Sequence, residues 1–216
     1  MRFADRADAG RRLAHALRSY RDCDPVVLAL PRGGLPVAAE IVSALAAPLD
    51  VVLARKIGAP WQRELAMGAL VEGKPPIVVR NEAVIIALGI DEWAFAAATE
   101  RARAELEDAR RRLIGDRPRV ATAGRAVILV DDGVATGATA RGALRSLRSR
   151  GAKTLTLAVP VASPEALAAL RPEADDLVCL AAPARFGAVG AYFADFRQVD
   201  DQEAVAILAR FAPAAP

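Results

Sequence analysis

The sequence predicts an α/β fold built on a parallel sheet, and three observations predict it. Short, largely β-branched runs at Val26 to Leu30, Asp50 to Ala54, Ala126 to Val130, Thr154 to Val159 and Leu177 to Leu180 alternate with segments whose apolar residues recur at helical spacing. Parallel strands joined through helices collect their following loops on one edge of the sheet. Two of those loops carry polar chemistry: Pro31-Arg32-Gly33-Gly34, and the string Val127-Ile-Leu-Val-Asp-Asp-Gly-Val-Ala-Thr-Gly-Ala-Thr139, which places paired carboxylates and a Gly/Thr-rich turn between a buried strand and a helix.

The elements follow in order. Leu13 and Leu17 lie four apart in an N-terminal helix whose first turn is acidic around Asp5 and Asp8, and the single histidine, His15, belongs on its surface. The Val26 strand, the Pro31 turn and a helix carrying Val37, Ile41, Val42 and Leu45 lead into the Asp50 strand as a βαβ unit. From Arg55 to Arg80 the pattern is broken by Gly58, Pro60, Gly68, Gly73, Pro75 and Pro76 around two β-like runs, Leu65 to Val71 and Ile77 to Val79. That segment reads as a mobile hairpin or lid over about residues 57–80. A long helix from Asp91 to Leu113 has Asp91 as N-cap and Arg110, Arg111 and Arg112 near its C-terminus, with a solvated charged face. Gly115-Asp-Arg-Pro118 ends it, and Gly124 precedes the central strand. After the central string, Ala140, Leu144 and Leu147 mark a helix that Gly151 ends, and Pro164 opens a shorter one through Leu170. The tail from Ala184 to Phe196 holds Phe186, Tyr192, Phe193 and Phe196, four of the ten aromatics, and reads as a small C-terminal hood over about 181–200.

Composition narrows the class. A chain of 216 residues with 54% hydrophobic content suits one domain, 1–216, with a sizeable core. No run of about 18 apolar residues occurs and the N-terminus lacks a signal-peptide core, so a cytoplasmic protein without a membrane partner is expected. Cys23 and Cys179 are expected as free thiols. The net charge of +3 arises from 29 basic and 26 acidic residues, too balanced for nucleic-acid binding but suited to attracting a polyanion. One histidine and no cysteine cluster leave metalloenzyme and Ser-His-Asp chemistry without their parts.

The central string is the richest in chemistry. A turn there aims the N–H groups from Ala135 to Thr139 at one point, to which the helix dipole adds positive charge, and a phosphate fits that point. Gly133 and Gly137 let the backbone approach an anion, while Thr136 and Thr139 add hydroxyl donors. Asp131 and Asp132 would repel a phosphate, so they suit neutral hydroxyls or a Mg²⁺ reached through water. An ordinary strand-to-helix turn accounts for one Asp and one Gly, not for the whole string. No Gly-Lys-Ser/Thr follows, and no Gly-x-Gly-x-x-Gly is present, which excludes a P-loop and a dinucleotide fingerprint.

This string resembles the 5-phosphoribosyl-1-pyrophosphate (PRPP) motif of the type I phosphoribosyltransferases. The resemblance implies a parallel-sheet, Rossmann-like core with a flexible lid and a C-terminal hood, and transfer of phosphoribose from Mg²⁺-bound PRPP to a nitrogenous base with release of pyrophosphate. Asp131 and Asp132 become the ribose clamp, and Gly133, Val134, Ala135, Thr136, Gly137, Ala138 and Thr139 the loop wrapping the 5′-phosphate. Arg32, Gly33 and Gly34 sit where the family has its pyrophosphate loop, with the Arg32–Gly33 bond a candidate cis peptide. Arg55 and Lys56, read as ending the second parallel strand, would neutralise the diphosphate. The implied catalytic set is Asp131, Asp132, Arg32 and Lys56. Phe186, Tyr192 and Phe193 either stack the base or form the core of a thin lobe, and Trp61 either closes over the site or packs on a second copy, which leaves room for a homodimer. Where the 6-oxopurine enzymes carry an Asp, this chain has Ala135, which argues against hypoxanthine and guanine as acceptors. A non-catalytic PRPP or nucleotide sensor of the same fold is the competing reading, and a kinase akin to PRPP synthases is disfavoured by the lack of an ATP-site signature.

Overall fold

The structure, a computed structural model, describes residues 2–62 and 65–211. From the N-terminus, α1 (Arg6–Ala16), β1 (Val26–Ala29), α2 (Gly34–Leu45) and β2 (Leu49–Val51) are followed by β3 (Ala54–Gly58), β4 (Ala66–Val71) and β5 (Ile77–Arg80). Then come α3 (Glu82–Ala87), α4 (Glu92–Leu113), β6 (Ala126–Val130), α5 (Ala138–Ser149), β7 (Thr154–Val161), α6 (Pro164–Leu170), β8 (Asp176–Ala181) and α7 (Asp201–Arg210).

The expected parallel sheet forms from five strands in the order β2-β1-β6-β7-β8. Strands β1 and β6 are apolar at every position because both faces are covered. Val27, Ala29, Ile128 and Val130 point into one core with Leu13, Val37 and Ile41 of α1 and α2. Their neighbours Val26, Leu28, Val127 and Leu129 point into a second core with Ala140, Leu144 and Leu147 of α5. Strand order reverses between β1 and β6, since β1 leads to β2 on one side and β6 to β7 on the other. These two strands run in register, Val26 beside Val127 and Ala29 beside Val130, so their following loops start side by side. A crevice at the carboxyl edge of such a reversal is where ligands bind in open α/β sheets.

The segment read as a mobile lid is mostly a second, three-stranded antiparallel sheet, β3-β4-β5. Its middle strand is buried from Met67 to Val71 and packs against α4 and α5. Gly68 reads as a breaker in the sequence, but a Cβ there would lie 2.2 Å from the Val79 carbonyl oxygen, so this glycine permits a close strand contact. The β3–β4 and β4–β5 connections remain loops; Trp61 on the first is exposed, and residues 63 and 64 lie outside the described residues. Arg55 and Lys56 are therefore not at the end of a parallel strand. β2 stops at Val51, and both lie in β3.

One buried carboxylate ties the two sheets together. Asp50, 1% exposed at the centre of β2, accepts from the Val51 and Val120 N–H groups, from Arg117 at 3.2 Å and from Arg119 at 2.9 Å. Arg119 in turn forks onto Glu72 at the end of β4, at 2.8 and 3.1 Å. Helix α7 lies beyond the elements read from the sequence; its signal was Asp200 with Glu203 three residues on, and the Asp200 side chain does accept from the Glu203 N–H. Ala204 and Leu208 of α7 complete the α2-side core. Removing a carboxylate that compensates two partly buried guanidinium groups is strongly destabilising, so Asp50→Ala should cost about 3–5 kcal/mol in urea unfolding. A loss below about 1 kcal/mol, the worth of an exposed pair, would contradict the clamp.

Candidate active site

The first two loops meet at the strand-order reversal. A Cβ built on Gly33 would lie 2.1 Å from Asp132 Oδ2, so no other residue fits there without moving the acid. The cis peptide in this loop is Pro31–Arg32, one bond before the expected Arg32–Gly33. Gly33 is already helical, with φ −60° and ψ −35°, and leads directly into α2.

The β6–α5 loop is braced on its far side. The Val134 N–H donates to the Val161 carbonyl at 2.9 Å, and the Val134 carbonyl accepts from the Ser163 N–H at 2.9 Å. Ser163 Oγ donates to the Ala135 carbonyl at 2.8 Å. Gly137 takes φ +78°, a left-handed conformation suited to glycine, and α5 begins at the next residue. The loop encloses a cavity of about 170 Å³ lined by Asp131, the stretch from Gly133 to Ala140, and Val189 of the hood. The first N–H groups of a helix have no intrahelical acceptor, so this cavity offers backbone donors and positive dipole charge, with Thr136 and Thr139 on its rim.

The paired acids are not equivalent. Asp131 Oδ1 accepts from the Asp132 N–H at 2.9 Å. Asp132 Oδ2 accepts from Arg6 Nε at 2.7 Å, across 126 residues of sequence. Arg6 also donates to the Arg197 carbonyl at 2.7 Å, and its guanidinium lies 3.8 Å above the Phe196 ring. Burial pushes the Asp131 carboxyl well above the usual carboxylate range, and the adjacent Asp132 charge pushes it further. Burial also raises Asp132, while Arg6 opposes the rise. Arg6 escaped the sequence reading because nothing local links the first residue of α1 to a loop at 132.

The cations are arranged differently from expectation. Arg32 Nη1 donates to Asp201 Oδ1 at 3.2 Å, and Arg112 Nε donates to Asp201 Oδ2 at 3.0 Å, so one carboxylate bridges two guanidinium groups. Arg112 is exposed, as its reading on a solvated face expects, and is linked to the site through the Asp201 carboxylate it shares with Arg32. Burial lowers the pKa of Arg55 from its ordinary value, the nearby Arg112 and Arg32 charges acting in the same direction. Lys56 is exposed on β3, and the β3 residue that lines the site cavity is Ala54.

That cavity, about 470 Å³, is lined among others by Arg6, Arg32, Gly33, Asp131, Asp132, Thr139, Val189, Phe196 and Gln198. Phe186 and Tyr192, offered as a base-stacking pair, do not line it. They stack on each other at 5.5 Å, and the Tyr192 hydroxyl donates to the Arg185 carbonyl. With Phe3, Phe193 and Phe196 they form the hood's own small core, because a thin lobe has few other apolar groups to bury. The ring that reaches the cavity is Phe196, with Arg6 over its face.

A family model for the phosphoribosyl transferase domain matches residues 4–192. The chain belongs to the phosphoribosyl transferase family. Two Mycobacterium tuberculosis relatives, each named "Putative phosphoribosyl transferase", are 44% identical over 208 residues, 96% of this phosphoribosyl transferase chain and 46% of theirs. The chain thus spans about half the length of these curated relatives. The crystal structure of TT1426 from Thermus thermophilus superposes with a TM-score of 0.81 at 44% identity, covering 99% of this chain and 100% of that one. A phosphoribosyl transferase sheet of this topology places the two loops as described, and no helix among the described residues is long and apolar enough to cross a membrane.

The two acids should respond unequally to neutralisation. A carboxyl whose folded-state pKa is raised favours folding fully below its unfolded value of about 3.9, and this contribution is lost as pH rises through the folded value. At neutral pH the Asp131 charge is therefore a cost, and Asp131→Asn should stabilise the protein by roughly 1 kcal/mol or more, with the gain vanishing below about pH 4. Burial raises Asp132 as well, but Asp132→Asn leaves Arg6 without its anion, so its gain should be smaller than that of Asp131→Asn. Urea unfolding at both pH values checks the pair; a gain for Asp132→Asn as large as that for Asp131→Asn would contradict the asymmetry.

Proposed function

We propose that this phosphoribosyl transferase moves the 5-phosphoribosyl group of PRPP to a nitrogen of a heterocyclic base and releases pyrophosphate. The observation that carries the reading is the juxtaposition, at the strand-order reversal, of a donor-lined cradle, two carboxylates and a glycine loop flanked by arginine. The N–H groups of 135–139 receive the 5′-phosphate. Asp131 and Asp132 accept hydrogen bonds from the ribose 2′- and 3′-hydroxyls, which suit carboxylates where a phosphate does not. Arg32 and the backbone of Gly33 and Gly34 face the diphosphate, with Arg55 and Lys56 contributing positive field from β3.

Catalysis on this reading is positioning and charge stabilisation. As the C1′–O bond lengthens, negative charge grows on the diphosphate beside the arginines and positive charge grows on the ribose beside the acids. Mg²⁺ bound together with PRPP would neutralise diphosphate charge. The donor set fits that arrangement, since Asp131 and Asp132 each keep an oxygen free of the contacts described and can reach the ion through water, while no group of three or more potential ligands stands among the described residues. Ala135 leaves the cradle without an acid toward the acceptor, which disfavours 6-oxopurines. The loop bearing Trp61 is the part of the lid left to close over the site. Cys23 and Cys179 are unbridged, in keeping with a reducing, cytoplasmic setting.

A non-catalytic sensor is the second reading. It is favoured by the internal pairs Arg6–Asp132 and Arg32–Asp201, which engage site residues with partners from the chain itself. Pyrophosphate release measured with PRPP, Mg²⁺ and a panel of bases separates the two. The transferase reading expects release with one base class, and a drop of at least about 100-fold when Asp131 and Asp132 are both changed to Asn. Tight PRPP binding without release for any base would favour the sensor, and unchanged turnover in the double variant would sink the site assignment.

A further inference from the structure

Among the groups near the site, the three arginines at its β3 side have an unusual balance of charge. Arg32 comes from the β1–α2 loop and Arg112 from the last turn of α4, and a single carboxylate, Asp201, bridges the two, while Arg55 of β3 lies close enough to feel all three charges. Arg55 is half-buried, and among the described residues it donates to the Ala54 carbonyl and makes no direct contact with an acid. Glu105 is the other acid close enough to act on it. Among the described residues of this cluster, three guanidinium groups face the Asp201 and Glu105 charges, a balance that suits a further anion.

The Asp201 carboxylate presents one oxygen to Arg32 and the other to Arg112, a bridging mode that the oxygens of a phosphate reproduce. Its two ion pairs are partly exposed, with side-chain exposures of 34% for Arg32, 54% for Arg112 and 39% for Asp201. Pairs in such settings are weak, so an incoming polyanion can exchange for the carboxylate. Asp201 is not the cap of α7. That role belongs to Asp200, which accepts from the Glu203 N–H, so the exchange need not unfold the helix.

We infer that Arg112 is a diphosphate-binding residue alongside Arg32, and that Asp201 is an internal anion that holds this seat until the diphosphate displaces it. The identity of the anion rests on the proposed function; the competition itself does not. The α7 carboxylate thereby lowers the apparent affinity for the donor and for released pyrophosphate alike, and removing it should reveal the intrinsic affinity.

The test uses the full chain and magnesium pyrophosphate as probe, titrated by calorimetry, with a thermal melt of each variant to confirm folding. Asp201→Asn should tighten pyrophosphate binding about two- to fivefold, the range that ion pairs of this exposure supply. Arg112→Gln should weaken it about five- to tenfold, and in the combined variant the gain from Asp201→Asn should shrink because one of its two partners is gone. Arg111→Gln, an exposed neighbour paired with Asp108, should change nothing. Unchanged or weaker binding in a folded Asp201→Asn variant overturns the competition, and unchanged binding in Arg112→Gln overturns its assignment. Should Asp201→Asn fail to fold, Arg112→Gln decides alone, since that side chain lies on the exposed end of α4. Asp201-dependent pyrophosphate binding without transfer to any base would sink only the transferase reading; transfer with both variants neutral would sink only this inference.

Discussion

The in-register parallel pairing of β1 with β6 is the constraint on which the site depends. Because Ala29 and Val130 end side by side where the strand order reverses, the two following loops cannot avoid each other. They meet so closely that the space a Gly33 side chain would need is filled by the Asp132 carboxylate. The apolar runs on both faces of these strands therefore do more than fill a core. By fixing register they fix which backbone groups face the crevice, since a slip of one residue would turn every strand side chain to the opposite face.

That geometry concentrates charge, and the structure compensates it with groups remote in sequence. Asp131 and Asp132 are adjacent and half-buried, an arrangement that disfavours ionising both. Arg6 offsets this from α1, held in turn by the Arg197 carbonyl and the Phe196 ring. On the opposite side Asp201 of α7 lies between Arg32 and Arg112. Both compensating contacts involve the chain from Phe196 to Asp201, so the C-terminal hood and α7 belong electrostatically to the site. Asp50 does comparable work at a distance, joining β2 through Arg119 to the antiparallel sheet that carries Arg55.

What was legible in the sequence follows from what is local. The strand Ala126–Val130 and the helix Pro164–Leu170 have the residue ranges that their apolar runs and caps imply, and Asp91 caps α4 through the Ala94 N–H. The β6–α5 loop could be recognised because its chemistry lies in one continuous string. Gly68 misled because a glycine in a strand and a glycine in a turn look alike until the neighbouring strand is seen. Phe186 and Tyr192 stand out as aromatics near the end of the fold, but the ring that reaches the cavity depends on how the hood folds back over Phe3. Arg6, Arg112 and Asp201 were illegible for the same reason: their partners are 126, 89 and up to 169 residues away.

The central claim, that the crevice between the β1 and β6 loops seats PRPP, is tested most directly by a crystal structure of the protein soaked with PRPP and Mg²⁺. The account predicts the 5′-phosphate within hydrogen-bonding distance of the N–H groups of 135–139, and the ribose hydroxyls on Asp131 and Asp132. Well-ordered PRPP elsewhere on the chain, or a phosphate turned toward the acids and away from the cradle, would contradict it.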